Sequence, residues 1–112
     1  MKKILFTLLL VLGISAAADA QVRFLDSSTD AVRKEAIAQD KLVFIDLYAT
    51  WCGPCKAMAR DVFPQKAVGD YMNEKFVCIK LNAEKEGKEF ADLYKVEYFP
   101  TFIVLDTDKK MI

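Results

Sequence analysis

Three stretches of the chain are apolar almost without interruption, and polar segments with helical spacing separate them. Residues 41–48, "KLVFIDLY", are apolar from Leu42 to Tyr48 apart from Asp46, with β-branched or aromatic side chains at Val43, Phe44, Ile45 and Tyr48. Residues 76–82, "FVCIKLN", and 101–106, "TFIVLD", have the same character. Continuous runs of this kind suit strands buried on both faces of a sheet. Before the first of them, "SSTD" at 27–30 supplies helix-cap residues, and Ala31 to Gln39 predicts a helix with Val32, Ala36 and Ile37 on one side. After Cys52 the spacing is helical again through Met58, Val62, Ala67, Val68, Tyr71 and Met72. Pro64 lies inside that segment and should kink the helix or split it in two. Residues 84–96, "EKEGKEFADLYKV", predict a helix with Phe90, Leu93 and Tyr94 as its apolar side. "VRF" at 22–24 suits a short edge strand, and "DTDKK" at 106–110 is turn chemistry. The order βαβαβαβ predicts an α/β domain, with a mixed central sheet and helices on both faces.

The first 20 residues stand apart from this pattern. "MKKILFTLLLVLGISAAADA" has a positive start at Lys2 and Lys3, an apolar run from Ile4 to Ile14, and small residues ending in Ala18-Asp19-Ala20. That is the pattern of a secretory signal peptide. The apolar run falls short of the roughly 20 residues that a membrane-spanning helix needs. The expected organisation is a signal peptide at 1–20 and one domain at 21–112, with no stable membrane insertion after cleavage. An uncleaved N-terminal anchor is the alternative.

The chain has 16 basic and 16 acidic side chains and no histidine. Cleavage after Ala20 would leave 14 basic and 15 acidic groups, net −1. Without a basic excess or stripe, nothing points to nucleic acid. Export places the three cysteines where disulfides persist, but an odd number cannot form a complete disulfide scaffold.

Cys52 and Cys55 lie in "YATWCGPCK" at 48–56. A zinc site needs four ligands, and Cys78 is the one further sulfur in a chain without histidine. A purely structural disulfide here would close a very short loop and remove little chain entropy. The redox reading has a mechanism. Cys52 should sit where a buried strand ends and a helix begins, so that N–H groups and the helix dipole stabilise its thiolate. Cys55, about one turn further in, could resolve a mixed disulfide by attacking the Cys52 sulfur. Pro54 suits the first helical turn, and Gly53 should permit a tight approach. Asp46 is an acid in an apolar strand, and burial should raise its pKa. Cys78, in a buried strand, should be an inert apolar side chain.

"WCGPCK" together with "YFPT" at 98–101 resembles the thioredoxin superfamily. The likeness extends to "FIDLYATWCGPCK", with an acid six residues before the first cysteine, and to "KLN" at 80–82. It covers roughly residues 28–110. The stretch from Asp46 to Asn82 is most similar to a branch of secreted thioredoxin-like proteins. That branch includes the C-terminal periplasmic domain of a bacterial transmembrane disulfide-reducing electron transporter. Tyr48 departs from the tryptophan that many thioredoxins carry. The resemblance implies a thioredoxin fold that lacks the family's last strand and C-terminal helix, and hence a C-terminally incomplete domain.

The resemblance also implies roles. Cys52 would be the nucleophile and Cys55 the resolving thiol. Asp46 would move a proton to or from Cys55, with Lys80 near it. Trp51 would shield the thiols and offer apolar contact. Pro100 would follow a cis peptide bond facing the cysteines, with the Phe99 backbone pairing with an extended substrate. The expected protein is a protein-disulfide reductase, exported to the periplasm, acting on protein disulfides and recharged by a membrane electron donor. The Cys52–Cys55 disulfide would be its redox group, with no bound cofactor or metal. The alternatives are a disulfide oxidase or isomerase, a non-enzymatic thioredoxin-like binding module, and thiol-based metal delivery.

Overall fold

The structure, a computed structural model, describes residues 21–107. The expected signal peptide at 1–20 and the C-terminal residues 108–112, with the expected incomplete C-terminus, lie outside the described residues.

The elements follow the expected order. Helix α1 spans Thr29–Gln39 and strand β1 Leu42–Tyr48. Helix α2 spans Gly53–Ala57 and continues into a π-helical turn, Met58–Val62. Helix α3 is Lys66–Lys75, β2 is Phe76–Asn82, α4 is Lys88–Leu93 and β3 is Thr101–Leu105. The expected edge strand at 22–24 is reduced to one bridge between Phe24 and Cys78.

Strand β1 is central in the order β2-β1-β3. It pairs parallel with β2, placing Asp46 opposite Lys80, and antiparallel with β3, placing Asp46 opposite Phe102. The sheet is therefore mixed. Side chains alternate along a strand, so each face has its own core. Val43, Ile45 and Leu47 join Val77, Ile79, Leu81, Ile103 and Leu105 on one face, under Val32 and Ala36 of α1 and Phe90 of α4. Phe44, Cys78 and Val104 line the other, under Met58, Val62, Phe63, Val68 and Met72. Continuous apolar strands are what a sheet covered on both faces requires.

Local chemistry sets the helix ends. The Ser28 hydroxyl accepts the Ala31 N–H at 3.1 Å, capping α1. Asp40 ends that helix in the left-handed region, at φ 54°. Pro64 splits the segment after Cys52, as expected. The turn before it is π-helical, with the Phe63 N–H bonded to the Met58 carbonyl at 3.0 Å.

Four apolar positions of the expected helices face solvent rather than the core: Ile37, Ala67, Tyr71 and Leu93. Helix α1 meets the sheet through Val32 and Ala36, one turn apart. Ile37 is rotated about 100° away from Ala36, outside that narrow stripe. The predicted helix at 84–96 shortens to Lys88–Leu93 because the residues before it form a turn. In that turn the Gly87 N–H bonds the Asn82 carbonyl at 2.7 Å.

Gly87 is buried and has no room for a side chain. An added Cβ would lie 2.8 Å from Leu47 Cδ2, 2.9 Å from the Asn82 oxygen and 2.9 Å from Leu81 Cβ. Because two of those neighbours are a backbone atom and a Cβ, they cannot swing away. Gly87→Ala is expected to destabilise the domain by about 1–3 kcal/mol. Urea denaturation checks this, with Gly53→Ala as the control; an unchanged midpoint for Gly87→Ala would refute it.

Candidate redox site

The site forms where β1 runs out. Ala49 is buried after the strand, and a turn at Thr50 and Trp51 delivers Cys52 to the start of α2. Cys52 is the N-cap, extended at φ −82° and ψ 112°. Its Sγ accepts the Cys55 N–H at 3.0 Å. This is the position that N-cap oxygens usually occupy, here filled by sulfur. Pro54 lies in the first turn, where its missing N–H leaves no carbonyl unpaired.

Cys52 and Cys55 are joined as a disulfide with Cα atoms 5.3 Å apart. They are 3% and 8% exposed, so the sulfurs reach the surface only narrowly. Ala49 completes a small buried cluster with them, and Tyr48 and Phe99 pack against it. The Phe99–Pro100 peptide is cis, and Phe99 brings the strand-leading loop onto the cysteines.

Asp46 lies on the sheet face that carries Phe44, the face beneath Met58 and Val62. It is 2% exposed, and its Oδ1 has no hydrogen-bond partner. Burial pushes its carboxyl up to about 6, with the Lys80 charge working in the opposite direction. Lys80 is half-buried, and its Nζ lies 5.4 Å from the ring centres of both Phe24 and Tyr48. A cavity of about 220 Å³ opens beside the disulfide, lined by Tyr48, Thr50, Cys55, Lys56, Ala59 and Lys80.

Trp51 is 66% exposed. Its ring meets Phe99 edge-on at 5.9 Å, and its Nε1–H donates to Glu84 Oε1 at 3.0 Å. The tryptophan thus stands as an exposed platform beside the cysteines, rather than as a lid closed over them. Gly53 corrects the sequence reading: its φ is not positive and a Cβ there would meet nothing within 4 Å. No close approach requires glycine at that position.

Two residues at the site escaped the sequence reading. Glu84 holds the indole from a loop whose path no periodicity reveals. Phe24 covers Lys80 from a segment far away in the chain. The free Cys78 is buried, and burial pushes its thiol up to about 12, which leaves it protonated and inert at neutral pH. Among the described residues, no group of three or more histidines, cysteines or carboxylates gathers to hold a metal. No helix there is long and apolar enough to cross a membrane.

This geometry has relatives. Thioredoxin-1 of Drosophila melanogaster is 39% identical over 74 residues, which is 66% of this chain and 65% of that protein. The chain therefore spans slightly less than two thirds of that relative's length. A candidate disulphide isomerase from Bacteroides thetaiotaomicron, solved in solution, is 36% identical with a TM-score of 0.75. That match covers 83% of this chain and 78% of the other. Thioredoxin f2, solved in complex with ferredoxin:thioredoxin reductase, is 28% identical with a TM-score of 0.58, covering 83% of this chain and 79% of the other. The thioredoxin family model matches residues 25–112. With its mixed sheet and the Cys52–Cys55 disulfide at the start of α2, the chain belongs to the thioredoxin family.

Proposed function

We propose that this protein is an exported thiol–disulfide oxidoreductase that reduces protein disulfides. The observation that carries this reading is the Cys52 sulfur, seated as the cap of a helix and accepting the Cys55 N–H at 3.0 Å. A negative sulfur there gains more from that donor than a neutral one, which favours the thiolate.

The reaction follows from the pair. In the reduced protein the Cys52 thiolate attacks one sulfur of a substrate disulfide, forming a mixed disulfide. The other substrate sulfur leaves as a thiolate and takes a proton from solvent. Cys55 gives its proton to Asp46 and attacks the Cys52 sulfur. The second substrate sulfur leaves as a thiolate and takes a proton from solvent, Asp46 returns its proton to solvent, and the protein is left with the Cys52–Cys55 disulfide. The substrate gains two electrons and two protons. An extended substrate would lie along the Phe99 backbone beside Pro100, with Trp51 as its apolar contact.

Recharging needs two electrons from another protein. The reductase complex of thioredoxin f2 supports a protein donor of this kind, and the signal-like residues 1–20 favour a donor in the membrane serving the periplasm.

The candidate isomerase among the relatives favours a second reading, as an oxidase or isomerase. A redox titration of the chain in dithiothreitol buffers, scored by thiol labelling and mass, separates the two. The reductase reading expects one two-electron transition near −270 mV, the value of thioredoxin with its Gly-Pro pair. A potential above about −200 mV would favour oxidation or isomerisation.

A further inference from the structure

Asp46 and Lys80 are register partners on adjacent parallel strands, so both side chains point to one face of the sheet. A buried carboxylate and an ammonium so placed would ordinarily form an ion pair. Lys66–Asp70 and Lys88–Asp92 pair in that way at the surface, but no ion pair joins Asp46 to Lys80. Asp46 keeps an oxygen with no hydrogen-bond partner. The ammonium is instead 5.4 Å from the centres of two aromatic rings. That is within the range where the negative face of a ring attracts a cation.

We infer that Phe24 and Tyr48 form an aromatic clamp that holds the Lys80 ammonium off Asp46, which makes both of them positioning residues for that acid. The clamp joins two distant parts of the chain. Tyr48 ends β1, immediately before the turn to Cys52. Phe24 belongs to the N-terminal segment, which the Phe24–Cys78 bridge and the bond from the Val22 N–H to the Phe63 carbonyl hold against the domain. That segment therefore acts on the redox site through one ammonium. Release from the rings would let Lys80 approach Asp46 and stabilise its carboxylate. The acid would then hold its proton less tightly and accept one from Cys55 less readily. This consequence for exchange rests on the function proposed above; the clamp itself does not.

The groups facing Asp46 are few. From β2 these are Lys80 and the buried thiol of Cys78, and from β3 the register partner is Phe102. From the helical segment, Cys55 and Lys56 line the cavity that Lys80 also lines. In the oxidised protein Cys55 does not titrate, and the chain has no histidine, so Asp46 can be followed cleanly.

The test is the carbon-13 shift of the Asp46 carboxyl against pH, measured on the oxidised full chain. Tyr48→Leu and Phe24→Leu are each expected to lower the midpoint by about one pH unit. Tyr48→Phe, which keeps the ring, should leave it in place. In a Lys80→Met background the effect of Tyr48→Leu should vanish, because no ammonium remains to release. The clamp is overturned if neither leucine variant moves the midpoint, or if the shift persists without Lys80. Because the readout involves no exchange assay, absence of reductase activity would count against the proposed function alone.

Discussion

A Cys52→Ser variant is expected to lose disulfide exchange altogether, whereas Cys55→Ser should attack substrates and remain attached to them. The asymmetry follows from the positions of the two sulfurs. Cys52 is the helix cap and receives the Cys55 N–H, so its thiolate is the stabilised one. Serine cannot form a disulfide, and its hydroxyl stays protonated at neutral pH. The first bond to the substrate then never forms, and the rate should fall by at least about a thousandfold. With Cys55→Ser that first bond forms, but no neighbouring thiol breaks it. Mixed disulfides should accumulate and be visible by mass on a non-reducing gel. Exchange with a model protein disulfide, driven by dithiothreitol, measures the first variant. If Cys52→Ser still exchanged disulfides or supported the same partner-dependent phenotype, the redox reading would fall and the binding-module reading would replace it.

Asp46→Asn is expected to stabilise the protein at alkaline pH while slowing release of substrate. Burial raises the carboxyl to about 6 in the fold, against 3.8 for a free aspartate side chain. A raised value means that the fold prefers the protonated acid. Stability from this preference is full below about pH 4, declines as pH rises through 6, and is gone above it. Asparagine removes the buried charge, so the gain over the parent should be near zero at pH 4 and about 2 kcal/mol at pH 8. Urea denaturation of the oxidised protein at the two pH values checks this. An equal difference at both would mean that the amide acts through packing rather than charge. In exchange assays, the inflection near pH 6 should disappear in Asp46→Asn. With no histidine in the chain, few other groups could produce an inflection there.

Much of the fold was legible because the local and tertiary requirements agree. A strand buried on both faces must be apolar at successive positions, and Leu42–Tyr48 and Phe76–Asn82 are so nearly throughout. Pro64 interrupts a helix whatever surrounds it. Amphipathic helices were less legible. Ile37, Tyr71 and Leu93 follow a helical period, but the width of the buried stripe depends on how closely each helix approaches the sheet. Gly87 illustrates the same limit: its necessity comes from Leu47, Leu81 and Asn82, brought against it by folding.

The site divides in a similar way. The spacing of Cys52 and Cys55 around Gly53-Pro54, the isolated acid Asp46 in an apolar run, and the Phe99–Pro100 pair were evident in the order of residues. Each depends on short-range geometry, either a single helical turn, the alternation of one strand or one peptide bond. Tertiary structure alone decided that Asp46 keeps an unpartnered oxygen, that Lys80 lies between Phe24 and Tyr48, and that Glu84 holds Trp51 upright. Those arrangements join residues from separate segments, so their energies depend on distances that exist only after the sheet has formed. The chain's sequence determined which chemistry was available, and the packing of distant segments decided the electrostatic setting in which that chemistry works.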